Sequence, residues 1–334
     1  MQKDIDIIIY GATGFTGKLC VKYFQSLDTT VTWAMAGRNL TKLKKVAEDN
    51  QTKVEILIAD SDDESALDHL TSRAKVILST TGPFHRYGSK LVASCIKNHA
   101  HYVDITGENF WVKGLIEKHH AEASAKGIRI IPSCGFDSIP SDLGTFFSAK
   151  AIGKPIKRIE SFHSYKGGAS GGTLETMFSM GELDLGDDLT DPFLLNPKDS
   201  YSNEQKQLSS DRVGIARKPE ISAWSGPFIM ATANTRVVRR TEALLALRQE
   251  SYGADFTYQE HAYHKSWFSA TRSLILTGIS VLVLLSPLKK LVKPFLPKPG
   301  EGPSESVQEN GWFDCKYIVE TDDGIKSVFN MNGK

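Results

Sequence analysis

The chain has 334 residues, 40% of them hydrophobic and 24% charged, with 40 Lys+Arg against 39 Asp+Glu. That apolar fraction builds ordinary cores and excludes intrinsic disorder as the main description, and the length suits two domains. A net charge of +1 gives no global reason to expect nucleic acid, and a mean hydropathy of −0.24 excludes a polytopic membrane protein.

Cys20, Cys95, Cys134 and Cys315 form no C-x-x-C pair, which predicts reduced thiols rather than a disulfide scaffold or structural zinc. The histidine groups, His99/His101, His119-His120 and His261/His264, lack a cysteine or paired carboxylate at ligand spacing, so no metal site is predicted. Met1 to Asp6 enters an apolar run without the basic n-region of a signal peptide, and a cytoplasmic location is expected.

In chain order, Ile5–Tyr10 reads as a strand that stops at Gly11, followed by a helical period from Thr16 to Leu27. Strands are then predicted over 31–36, 54–59, 76–79, 102–105 and 128–131, with helices over 40–50, 64–73, 90–98 and 111–126. This alternation means βαβ units and a parallel sheet. After Pro140 the rhythm breaks into glycine-rich, aromatic and polar stretches, and 191–210 reads as a long loop. The stretch 312–331, with Thr321-Asp-Asp-Gly324 at its centre, alternates and turns like a β-hairpin. The expected division is residues 1–138, a Rossmann dinucleotide-binding domain, and 139–334, an α+β domain.

Between the first strand and helix stands Gly11-Ala12-Thr13-Gly14-Phe15-Thr16-Gly17. Glycines there let backbone approach a pyrophosphate, whose charge meets free N–H groups at the helix start. The second strand ends Ala36-Gly37-Arg38, offering a guanidinium and then Lys42 where an NAD site carries an acid. This predicts NADP(H), held through charge-assisted hydrogen bonds to the 2′-phosphate. Asp60 either meets the adenine edge or caps the next helix, and Thr81-Gly82-Pro83 closes the fourth strand near the nicotinamide half. A short-chain dehydrogenase would use Tyr-x-x-x-Lys, yet none of the ten tyrosines has Lys at +4.

These motifs resemble the saccharopine dehydrogenase-like oxidoreductases, including their bacterial branch of trans-acting enoyl reductases. The resemblance is carried by Gly11–Gly17, Ala36–Arg38, Thr81–Phe84 with Tyr87-Gly88, His101–Glu108, Cys134–Gly144, Gly167–Thr173 and Glu309–Phe313. It implies an α/β protein: an N-terminal NADP-binding Rossmann domain and a second α+β domain with a mixed sheet carrying substrate and homodimer contacts. It further implies reductase roles in lipid or glycolipid synthesis for some members and membrane or lipid association for others. Members continue past the final hairpin into a helical stretch, so a truncated second domain is expected of a chain ending at Lys334.

A reductase needs a proton donor beside its hydride source. The candidates are Tyr87 with His85, Asp104, Glu108 with Thr106, and Asp137 with Ser138, each with a plainer reading as a backbone cap or loop support. Gly171, Gly172 and Thr173 open a helical pattern that either binds a substrate anion or allows close backbone packing. Leu274–Leu285 is the most apolar stretch; as a twelve-residue helix it would reach ~18 Å, short of a ~30 Å hydrocarbon core. It is either a buried helix of the second domain or part of a peripheral lipid contact over 265–298. Trp267-Phe268 and Lys289, Lys290, Lys293 and Lys298 flank it. The predicted function is an NADP(H)-dependent reductase of a lipid or acyl-type substrate, with a catalytically silent, membrane-associated NADP-binding scaffold as the alternative.

Overall fold

The β-branched run at the start of the chain forms β1 (Ile5–Tyr10), and the glycine turn leads into α1 (Phe15–Ser26). The computed structural model describes residues 3–334. It continues the alternation through β2 (Trp33–Gly37), α2 (Leu40–Asp49), β3 (Glu55–Ile58), α3 (Glu64–Arg73) and β4 (Ala74–Ser79). There follow α4 (Phe84–Tyr87), α5 (Ser89–Lys97), β5 (His101–Asp104), α6 (Asn109–Ala125) and β6 (Ile130–Ile131). All six strands are parallel, in the order β3-β2-β1-β4-β5-β6. The order reverses between β1 and β4, which opens a crevice at the carboxyl ends of those strands. Ile9, Val21, Met35 and Leu43 fill one core beside this sheet, each fully buried.

The rest of the chain supplies α7 (Ile139–Ile152), β7 (Ile156–Lys166), α8 (Gly171–Met180), α9 (Asn203–Leu208), β8 (Ala216–Lys218) and β9 (Ala223–Gly226). After these come α10 (Ala231–Ala246), β10 (Thr257–His264), α11 (Trp267–Leu285), α12 (Lys289–Val292), α13 (Glu305–Glu309), β11 (Trp312–Thr321) and β12 (Lys326–Gly333). The second sheet is mixed, in the order β12-β11-β7-β10-β9-β8. Only β7 and β10 pair in parallel; the others are antiparallel. Its core gathers Ile159, Val238, Tyr258, Tyr317 and Val319.

The chain divides into two compact units. The first takes in Met1–Gly135, Gly168–Leu183 and Lys293–Pro303; the second takes in Phe136–Gly167, Asp184–Val292 and Ser304–Lys334. The expected cut at 138/139 assigns α8 and 293–303 to the second domain, whereas the chain brings both back to the first unit. Two further differences have local causes. Within the expected loop at 191–210, Ser202 and Gln205 form a reciprocal capping box that starts α9. Likewise Ser266 caps α11, which starts seven residues before the aliphatic run, so the helix has 19 residues and not twelve. The buried reading of that helix does not hold: Ala270 is its one fully buried residue among the described side chains.

Candidate functional site

The first unit contains a cavity of about 420 Å³ at the carboxyl edge of its sheet. Ligand sites of small molecules commonly fall in this size range. Its wall includes Gly11, Thr13, Gly14, Phe15 and Thr16 from the turn after β1, Arg38 after β2, and Thr81, Gly82 and Pro83 after β4. Gly11 has φ +89°, a conformation that disfavours side chains, and a Cβ there would lie 2.9 Å from Thr80 Oγ1. Gly14 is the N-cap of α1 and has no side-chain cap, so its first-turn N–H groups remain for a ligand. Among the described residues, Thr81 Oγ1 is buried with no hydrogen-bond partner. Anion-binding amides, an unsatisfied hydroxyl and a guanidinium together suit a phosphorylated dinucleotide.

Three residues of the expected cofactor set do other work. Ala12 is fully buried in the core beside β1. A Cβ on Gly17 would stand 2.2 Å from the Gly11 carbonyl oxygen, so this glycine lets α1 pack on the turn. Asp60 accepts a hydrogen bond from its neighbour's backbone, Asp62 N, at 3.1 Å; Ser61, not Asp60, reaches the cavity wall.

Of the four proton-donor candidates, Tyr87 alone lines the cavity. It is presented by α4, a single turn that Glu108 holds in place. Glu108, 0% exposed, accepts from Phe84 N at 2.7 Å and His85 N at 2.8 Å, and its Oε2 is 2.6 Å from His85 Nδ1. Asp104 is likewise a support: its Oδ1 accepts from Thr106 N at 2.9 Å and Ser133 N at 3.0 Å. Burial raises the Asp104 pKa to about 6. Both carboxylates therefore tie the loops after β4, β5 and β6 together, outside the cavity wall.

The returning segments complete the wall with Ser170, Gly172, Glu175, Pro299 and Gly300, none of which except Gly172 was expected from sequence. Gly171 packs instead of binding: a Cβ there would be 1.9 Å from the Lys298 carbonyl oxygen, and its N–H donates to Glu301 O at 2.9 Å. Ser170 caps α8 by accepting from Thr173 N at 3.2 Å. Glu175 carries its charge into the wall with Lys293 Nζ 3.0 Å away and an Arg86 nitrogen at 3.9 Å. Short-range motifs give no sign of this, because the three residues come from distant parts of the chain.

Asp137 belongs to the second unit and is exposed there. Its neighbour Ser138 donates to Asn234 Oδ1 at 2.9 Å, and Asn234 Nδ2 donates to Glu260 Oε1 at 2.7 Å. Counting protons orients the rest of this network. Tyr258 donates to Glu260 Oε2 at 3.0 Å, so Ser161 donates to Tyr258 at 2.6 Å. The His163 Nε2–H then donates to Ser161 at 2.9 Å, and its Nδ1 accepts from the Cys315 thiol at 3.1 Å. Burial keeps both ends neutral, lowering the His163 pKa and pushing the Cys315 thiol up to about 12.

The saccharopine dehydrogenase NADP-binding domain model matches residues 7–131. A Mycobacterium leprae trans-acting enoyl reductase is 32% identical over 97% of this chain and 83% of its own. A Mycobacterium tuberculosis protein named for the same activity is 34% identical over 98% of this chain and 84% of its own. The chain belongs to the saccharopine dehydrogenase-like oxidoreductases, in the trans-acting enoyl reductase branch. Saccharopine dehydrogenase (L-Glu forming) of Saccharomyces cerevisiae shares the fold, with a TM-score of 0.50 at 13% identity, covering 99% of this chain and 86% of that one. The oxidoreductase therefore uses NADP(H), and its NADP-binding domain is the unit that contains the cavity.

Proposed function

We propose that this NADP-dependent oxidoreductase reduces the carbon–carbon double bond of an α,β-unsaturated acyl substrate. The observation that carries this reading is 32–34% identity, along nearly the whole chain, to proteins named trans-acting enoyl reductases. Bound NADPH supplies the hydride for the acyl β-carbon. Gly11, Thr13, Gly14, Phe15 and Thr16 would hold its pyrophosphate at the start of α1, and Arg38 would pair with the 2′-phosphate. The α-carbon needs a proton, and Tyr87 is the candidate donor whose side chain belongs to the cavity wall. Glu108 acts through α4 as a positioning residue for Tyr87.

The test is NADPH consumption with a panel of enoyl thioesters of increasing chain length. Turnover that falls by roughly 10²-fold in Tyr87→Phe, with NADPH affinity retained, supports the assignment. Tight NADPH binding with no turnover on any acyl substrate would overturn it and favour a catalytically silent NADP-binding scaffold.

A further inference from the structure

We propose that α11 and the turn after it, residues 267–292, form a monotopic docking element for an anionic phospholipid surface. The element is apolar and outward-facing. Phe268 is 73% exposed, Leu282 65% and Leu291 69%, with Trp267, Ile275 and Ile279 also exposed. A water-soluble helix normally turns such side chains inward, and an exposed apolar patch of this extent marks an interaction surface. Two hydroxyls of α11 are already satisfied by the helix's own carbonyls. Thr271 Oγ1 donates to Trp267 O at 3.0 Å, and Ser280 Oγ donates to Leu276 O at 2.9 Å.

Charge selects the partner. Residues 267–292 carry Arg272, Lys289 and Lys290 and no Asp or Glu. A second copy placed against this face would set like charges together, whereas anionic headgroups neutralise them. Lys289 and Lys290 directly after α11 place two cations where anionic headgroups would lie.

Topology decides between lying on a bilayer and crossing it. By length and hydropathy Trp267–Leu284 is apolar enough to span. Yet β10 before it and β11 after it both pair with β7, so the chain must leave and return on one side. Residues 286–311, with four lysines, three acids and five prolines, supply no second crossing. A one-sided insertion is the arrangement that keeps the sheet intact.

The experiment is co-sedimentation of the full chain with phosphatidylcholine vesicles, alone or mixed with phosphatidylglycerol. Pelleting with the anionic vesicles is expected, reduced roughly tenfold or more in Lys289→Glu/Lys290→Glu and in Leu282→Asp, with NADPH affinity unchanged as the folding control. Equal pelleting with neutral vesicles, or none with either, would overturn the proposal. So would a dimer that dissociates in Leu282→Asp, since a second copy would then cover the face, or helix protection from added protease on both sides of sealed vesicles. The enoyl reductase reading does not depend on this result.

Discussion

Lys293 Nζ lies 3.0 Å from Glu175 Oε2, and the carboxylate it neutralises stands in the wall of the cavity in the first unit. A negative charge near a phosphate site opposes binding unless a cation offsets it. Here the cation comes from the segment that also brings Pro299 and Gly300 to that wall.

Lys293→Ala should therefore weaken NADPH binding by roughly three- to tenfold, a modest effect because Lys293 is half exposed and solvent screens the pair. The loss should shrink at high salt. Glu175→Gln/Lys293→Ala should recover most of it, since the uncompensated charge is gone. Cofactor titration by fluorescence measures all three.

Arg38 sets the cofactor preference in the proposed site. Arg38→Asp should cut the ratio of NADPH to NADH affinity by roughly one to two orders of magnitude, the value of charge-assisted hydrogen bonds to phosphate. An unchanged ratio would place the 2′-phosphate elsewhere.

Two glycines should respond oppositely to the same substitution. Gly17→Ala puts a Cβ 2.2 Å from the Gly11 carbonyl oxygen and 2.8 Å from the Ala12 Cα, both backbone atoms that cannot swing away. It should cost about 1–3 kcal/mol and distort the cofactor turn. Gly114, inside α6, has nothing within 4 Å of a built Cβ. Gly114→Ala should gain about 0.5–1 kcal/mol through helix propensity. Urea denaturation with and without NADPH separates the two effects.

Asp104 gives a pH signature. Its pKa is raised to about 6 in the folded chain by burial, against 3.8 ordinarily, so the native state holds its proton more tightly. Stability is unaffected below the ordinary value. It is lost as pH rises through the window up to about 6, on the order of 3 kcal/mol in total. Asp104→Asn retains an acceptor for Thr106 N and Ser133 N without the charge. The variant should gain on the parent between pH 4 and pH 7, read as a difference between two denaturation series. A pH-independent difference would exclude Asp104 as the titrating group.

Local chemistry made the first unit readable from residues alone. A β-branched run, a glycine turn and a 3.6-residue period each act within a dozen residues, so β1, the turn and α1 follow from them, and the repeated strand–helix alternation implies a parallel sheet. Arg38 was legible for the same reason: its place at the end of β2 follows from strand length. The motif could not say which of its residues face the ligand. Ala12 and Gly17 match the pattern because the turn must pack, and Asp60 accepts from the backbone N–H of Asp62.

What tertiary structure decided were the matters of long-range contact. Glu108 looks like an acid at a strand end, and only the folded chain turns it onto the amides of Phe84 and His85. The meeting of Glu175 with Arg86 and Lys293 has no local signal, because charge attraction across such sequence separation depends on where the backbone returns. The same holds for α11. Its apolar composition was plain in the residues, but hydropathy is blind to what covers a surface. Whether such a helix is buried or lies open depends on its neighbours, and among its described side chains only Ala270 is fully buried.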